Sequence, residues 1–95
     1  MWTTSRYCSS ETRSLCVKLA RSCGSSYVAR GKKTIVLLAD LARRKGDSRI
    51  NILEEKAGKP ITIATIEVLE TGQWHWFGKS SIDDYEVRRK NKGSL

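Results

Sequence analysis

The chain has 95 residues, a single proline, 39% hydrophobic and 29% charged residues, which describes one compact domain and is too little for two. A domain of this size has one core and meets large ligands on its surface, so a multi-domain enzyme with a deep cleft is excluded. Eighteen Lys and Arg against ten Asp and Glu leave a net charge of +8, which favours a polyanionic partner, nucleic acid first.

In chain order, residues 1–5, with Trp2 and two threonines, read as a first strand. Ser9 or Ser10 then caps a helix whose apolar stripe is Leu15, Cys16, Leu19, Ala20 and Cys23, with Glu11 in the first turn and Gly24 as its stop. Arg13, Lys18 and Arg21 fall opposite that stripe. Residues 26–30 read as a short second strand, and Thr34 caps a second helix with a core stripe of Ile35, Leu38, Ala39 and Ala42, widened by Leu37 and Leu41. Arg43, Arg44 and Lys45 fill its last turn before Gly46, where they complement the helix dipole or add to a basic face.

Residues 49–55 form a third strand, 56–60 a turn, 61–69 a β-branched strand, and 73–77 a last strand after Thr71 and Gly72. The order strand, helix, strand, helix, strand implies parallel crossovers, with a hairpin adding antiparallel pairing at one edge. The expected fold is therefore a single α/β domain of βαβαβ type with a mixed sheet. It covers residues 1–79 and is followed by a polar, basic tail over 80–95 that carries Arg88, Arg89, Lys90 and Lys92.

The positive excess lies entirely in the first half: residues 1–50 hold eleven Lys/Arg and three acids, residues 51–95 seven of each. Such asymmetry marks a binding face, the alternative being a surface that only keeps the chain in solution. In a parallel βαβ arrangement the segments leaving the first two strands emerge at one edge of the sheet. Here these are Ser5-Arg6 and Arg30-Gly31-Lys32-Lys33, each leading to a helix N-terminus, so guanidinium groups and amides near Ser9, Ser10 and Thr34 converge where phosphate oxygens would sit. Gly31, lacking Cβ, admits close approach of a phosphate backbone; an ordinary glycine turn is the plainer reading.

Other chemistries find little support. Gly31-Lys32 lacks the upstream glycine and the following Ser/Thr of a P-loop, and His75 has no second histidine for a metal site or a triad. Glu54-Glu55 and Asp83-Asp84 are adjacent pairs that a strand would point to opposite faces, so neither is an acid/base pair. No enzyme activity and no cofactor is expected. Trp74 and Trp76 share a parity and either cover the sheet or stack on bases. Cys8, Cys16 and Cys23 have no metal-ligand spacing and read as reduced thiols, Cys16 and Cys23 packed in the core, which points to a cytoplasmic location. The apolar runs are too short to span a membrane, and the Ser/Arg-rich start, although composed like a transit peptide, is needed by the strand and helix pattern.

Thr3-Thr4-Ser5-Arg6, followed by Ser9, Ser10, Thr12 and Arg13, and later by Arg30-Gly31-Lys32, resembles the opening of the Brix domain of archaeal Imp4-like ribosome biogenesis proteins. The resemblance covers residues 1 to about 77. It departs from the family at Cys8, where a proline commonly precedes the motif serine, and in length, since family members carry a second similar half. It implies a fold like the anticodon-binding domain of class II synthetases and a non-catalytic, cytoplasmic role in binding pre-ribosomal RNA during assembly. By that resemblance Arg6, Arg13, Arg30 and Lys32 contact RNA; charge placement adds Lys33, Lys18 and Arg21, with Ser5, Ser9, Ser10, Gly31 and Thr34 lining the loops. Expected partners are ribosomal RNA, with ribosomal proteins or a second copy besides, and no membrane. The competing readings are a tRNA- or DNA-binding module and a protein-interaction domain using an exposed edge strand or the Trp74, Trp76 and Phe77 surface.

Overall fold

The structure is a computed structural model that describes residues 1–83. Its elements run β1 (Trp2–Thr4), α1 (Ser10–Ser22), α2 (Ile35–Lys45), β2 (Arg49–Lys56), β3 (Lys59–Val68) and β4 (Trp74–Ser81). The sheet order is β1-β2-β3-β4, with β1 and β2 parallel and the later pairs antiparallel, so the sheet is mixed as expected.

The helices take opposite faces of this sheet, because strand side chains alternate. In β2, Ile50 and Ile52 join Leu38, Ala39 and Ala42 of α2, together with Ala64, Ile66 and Val68 of β3. Leu53, the next residue after Ile52, turns to the other face and joins Cys16, Leu19 and Ala20 of α1, with Trp2 and Ile63. This double coverage explains why the middle of β3 buries consecutive residues, Ile63 and Ala64, on opposite faces.

Helix boundaries follow their caps. The Ser9 hydroxyl accepts from the Thr12 N–H and the Thr34 hydroxyl from the Leu37 N–H, while Gly46 closes α2 in the left-handed region at φ 79°. Ser22 is the last residue of α1, so Cys23 sits at the C-cap and is exposed rather than packed with Cys16 as the stripe implied. Cys16 is fully buried, its thiol donates to the Thr3 carbonyl at 3.3 Å, and burial pushes its pKa up to about 12. Leu37 also departs from expectation: it is 46% exposed, since α2 buries only the Leu38, Ala39 and Ala42 side.

The second strand is the principal correction. Residues 26–30 do not form one; a single parallel bridge joins Tyr27 to Trp2, made by the Trp2 N–H to the Ser26 carbonyl and the Val28 N–H to the Trp2 carbonyl, both 2.8 Å. The segment still lies beside β1 on the side away from β2, so the crossover arrangement survives with its strand reduced to one pair. The β2–β3 turn is also tighter than expected. Ala57 and Gly58 alone form it, both at positive φ (54° and 78°), as the type I′ hairpin turn requires, and Pro60 falls inside β3 at a register shift opposite Glu55.

β4 runs to Ser81, past the boundary at residue 79, with a bulge where Thr65 pairs with Gly78 and Ile66 with Trp76. Trp74 and Trp76 meet edge to face at 6.0 Å; Trp74 packs against the α2-side core, whereas Trp76 is exposed. His75 lies 3.3 Å from Glu67, and Phe77 carries the Arg49 guanidinium 4.0 Å above its ring. Asp84 and the basic run at Arg88, Arg89, Lys90 and Lys92 lie outside the described residues.

Candidate nucleic-acid interface

β1 and β2 are parallel and the Tyr27 segment is parallel to β1, so the C-terminal ends of all three reach one edge of the sheet. Two loops leave from there, residues 5–9 toward α1 and residues 29–34 toward α2. Between them is an open cavity of about 380 Å³ whose lining includes Ser5, Arg13, Arg30, Gly31 and Lys32. Arg6 and Arg30, in the loops on either side of α1, are 24 positions apart in sequence and are brought together by this topology.

Arginine donors hold the loops in place. Arg30 donates from Nε to the Lys33 carbonyl at 2.7 Å and from Nη1 to the Thr4 carbonyl at 3.1 Å, which ties its own loop to the end of β1. Arg6 reaches across and donates to the Lys32 carbonyl at 3.2 Å. Lys33 turns back onto the Ala29 carbonyl at 3.0 Å. Gly31 sits at φ 50° with open space where a Cβ would project, so its backbone conformation, and not crowding, calls for glycine.

This arrangement places like charges together. Burial, and then the neighbouring Arg6 charge, lower the Arg30 pKa from its ordinary value, yet a guanidinium remains protonated throughout the physiological range. Cations crowd beside a solvent-open cavity, with Lys32 and Arg13 exposed at its rim, and raise the positive potential there.

The expected site residues divide on this geometry. Ser5, Arg6, Arg13, Arg30, Gly31 and Lys32 come together at the cavity or its bracing. Lys18 and Arg21 are exposed farther along α1, and Ser10 is exposed on its first turn. Thr34 lines a different depression with Val36, Leu37 and Arg43. Of the α2 basic cluster, Arg43 and Arg44 are paired with Asp40 at 3.0 and 2.9 Å. Among the described residues no group of His, Cys, Asp and Glu is placed to hold a metal, and no helix is long and apolar enough to cross a membrane.

Ser9 needs correction as a phosphate donor. Its N–H donates to both Glu55 carboxylate oxygens at 3.1 and 3.0 Å, its hydroxyl lies 2.9 Å from Glu55 Oε2 and from the Gly58 carbonyl, and the buried Thr12 hydroxyl donates to the same carboxylate. Glu55, at the end of β2, thus occupies the anion position that the start of α1 creates. Hydrogen bonds from Thr12 and Ser9 hold its carboxyl below the usual range. A depressed carboxyl stabilises the fold above its unfolded pKa and loses that contribution as pH falls through the folded one. Acid unfolding of the Glu55→Gln variant is therefore expected to show a weaker pH dependence below about pH 5 than the wild type. Ser9→Ala should cost about 1 kcal/mol in urea titration at neutral pH through loss of the cap. An unchanged acid limb in Glu55→Gln would show that the lock contributes nothing.

No protein-family model and no curated protein matches the chain. Among solved structures, the archaeal Imp4-like protein Mil is 32% identical with a TM-score of 0.65, over 77% of this chain and 45% of that one. A probable ribosomal biogenesis protein from Aeropyrum pernix is 28% identical with a TM-score of 0.73, over 82% of this chain and 44% of that one. The chain thus spans a little under half the length of either relative. The mixed four-stranded sheet with its two helices matches both relatives: the chain has the fold of the Imp4-like protein and of the ribosomal biogenesis protein and is similar to a little under half of each.

Proposed function

We propose that the chain binds ribosomal RNA and acts, without catalysis, in ribosome assembly in the cytoplasm. The observation that carries this reading is the convergence of Arg13, Arg30 and Lys32 on one cavity at the C-terminal edge of the parallel strands, with Arg6 bracing its rim through the Lys32 carbonyl. Phosphates of a folded RNA would be held by Arg13 and Lys32 at the rim while Arg6 and Arg30 keep the two loops in register. The relatives are described as Imp4-like and as a ribosomal biogenesis protein, which supports the same process. Affinity for ribosomal RNA fragments, tRNA and duplex DNA at about 50 and 200 mM salt tests it, because log K falls with log salt by roughly 0.7–0.9 per phosphate contact. Tight, salt-sensitive binding that prefers a ribosomal segment is expected; equal, weak binding to all three would overturn the reading.

A protein partner, either a ribosomal protein or a second copy, is the second reading. It is favoured by Trp76 and Phe77, 56% and 53% exposed on the strand at the end of the sheet.

A further inference from the structure

Among the lining residues of the cavity between the two loops that neither charge nor motif explains, Tyr7 is the most exposed. Tyr7 stands between β1 and α1 with 87% of its surface exposed and its backbone in the left-handed region at φ 57°. A bulky residue seldom adopts that conformation, and nothing about solvent exposure of an aromatic ring offsets the cost. The loop nonetheless fixes it: Arg6 is anchored on the Lys32 carbonyl, Cys8 donates to the Thr4 hydroxyl at 3.1 Å, and Ser9 is locked to Glu55. Tyr7 lines the same 380 Å³ space as Arg13, Arg30 and Lys32, with the half-buried Tyr27 in its wall.

An aromatic ring presented beside a ring of cations offers a face and a set of phosphate contacts together. In a continuous A-form helix the base faces are stacked on one another and closed to such a ring, whereas bulged and looped nucleotides expose them. The volume lies at the small end of the roughly 300–1,000 Å³ range of small-ligand pockets, suitable for one planar group with a few polar contacts. Resting on the RNA-binding reading above, we propose that this cavity receives a single unpaired nucleotide of a folded RNA, its base stacked on Tyr7 and its flanking phosphates on Arg13 and Lys32.

The test compares two RNA hairpins of equal stem length, one fully paired and one with a single-nucleotide bulge, titrated at one salt concentration against the wild-type chain and the Tyr7→Gly, Tyr7→Trp variants. Glycine adopts φ 57° more readily than tyrosine, so Tyr7→Gly removes the ring and keeps the loop. Base–aromatic stacking predicts about a tenfold preference of the wild type for the bulged hairpin, retained by Tyr7→Trp and lost by Tyr7→Gly. Affinity of Tyr7→Gly for the paired hairpin should match the wild type. Equal affinity of the wild type for both hairpins, or a preference that survives in Tyr7→Gly, would overturn the nucleotide pocket and leave RNA binding standing. Absence of salt-sensitive binding to either hairpin would overturn both.

Discussion

Replacing Arg13 and Lys32 together by glutamine is expected to weaken RNA binding by roughly ten- to a hundredfold at low salt and to flatten the log K against log salt line by roughly 1.4–1.8. These two residues are the informative ones because both are exposed and neither braces a loop through the bonds that Arg6, Arg30 and Lys33 make to backbone carbonyls. Substituting Arg30 instead would release the Lys33 and Thr4 carbonyls as well as remove a charge, so a lost affinity would confound contact with loop collapse. Fluorescence anisotropy at three salt concentrations separates the outcomes. A uniform loss across RNA sequences with a reduced slope identifies phosphate contacts, and an unchanged slope would place the RNA elsewhere.

Leu53→Ala is expected to be the most damaging single truncation of the core. Leu53 is fully buried, its parallel partner is Thr4 and its antiparallel partner Ile63, and its side chain packs with Trp2, Cys16 and Leu19. It therefore joins the strand end that carries the first loop to the helix that follows it. Leucine-to-alanine changes in such positions cost about 2–5 kcal/mol, a large part of the roughly 5–15 kcal/mol that holds a domain together. A fall in Tm of upward of about 10 °C follows for a chain of this size. The contrasting variant is Leu37→Ala, whose residue is 46% exposed on α2 and whose cost should stay within about 0.5 kcal/mol. Comparable losses at both positions would contradict the packing described above.

Those two leucines also show what could and could not be read from the chain. Both helices were legible because their stripes repeat at helical spacing and their caps, Ser9, Thr34 and Gly46, stand where the stripes begin and end. Which residues flank the buried stripe depends on the angle at which a helix meets the sheet, and spacing alone gave Leu37 an inward place it does not have. The strand at 26–30 failed for a related reason: Tyr27 and Val28 have β-prone side chains, but there is room for only one bridge before the loop turns away. β4 was underestimated because Gly78, Lys79, Ser80 and Ser81 carry no apolar alternation, being an edge segment bent by a bulge. In the candidate site, the meeting of Arg6, Arg13, Arg30 and Lys32 at one edge of the sheet was legible from charge and strand order together. Glu55 was not, since 46 residues separate it from Ser9 and only the parallel pairing of β1 with β2 brings them together. Tyr7 carries a signal visible only in the backbone, its positive φ.

The single bridge between Tyr27 and Trp2 sets how the site comes apart. The loop bearing Arg30, Gly31 and Lys32 is held by two backbone hydrogen bonds at that bridge, by the Arg30 clasp on Thr4, by Arg6 on the Lys32 carbonyl and by the half-buried Tyr27 and Val28 side chains, whereas β2 and β3 are zipped along eight paired positions. Opening residues 24–33 thus disrupts a small cooperative unit and leaves the sheet standing. The cationic cradle can assemble and dissolve as a sub-global event, faster than the domain unfolds, so a ligand that closes it would slow hydrogen exchange there and nowhere else.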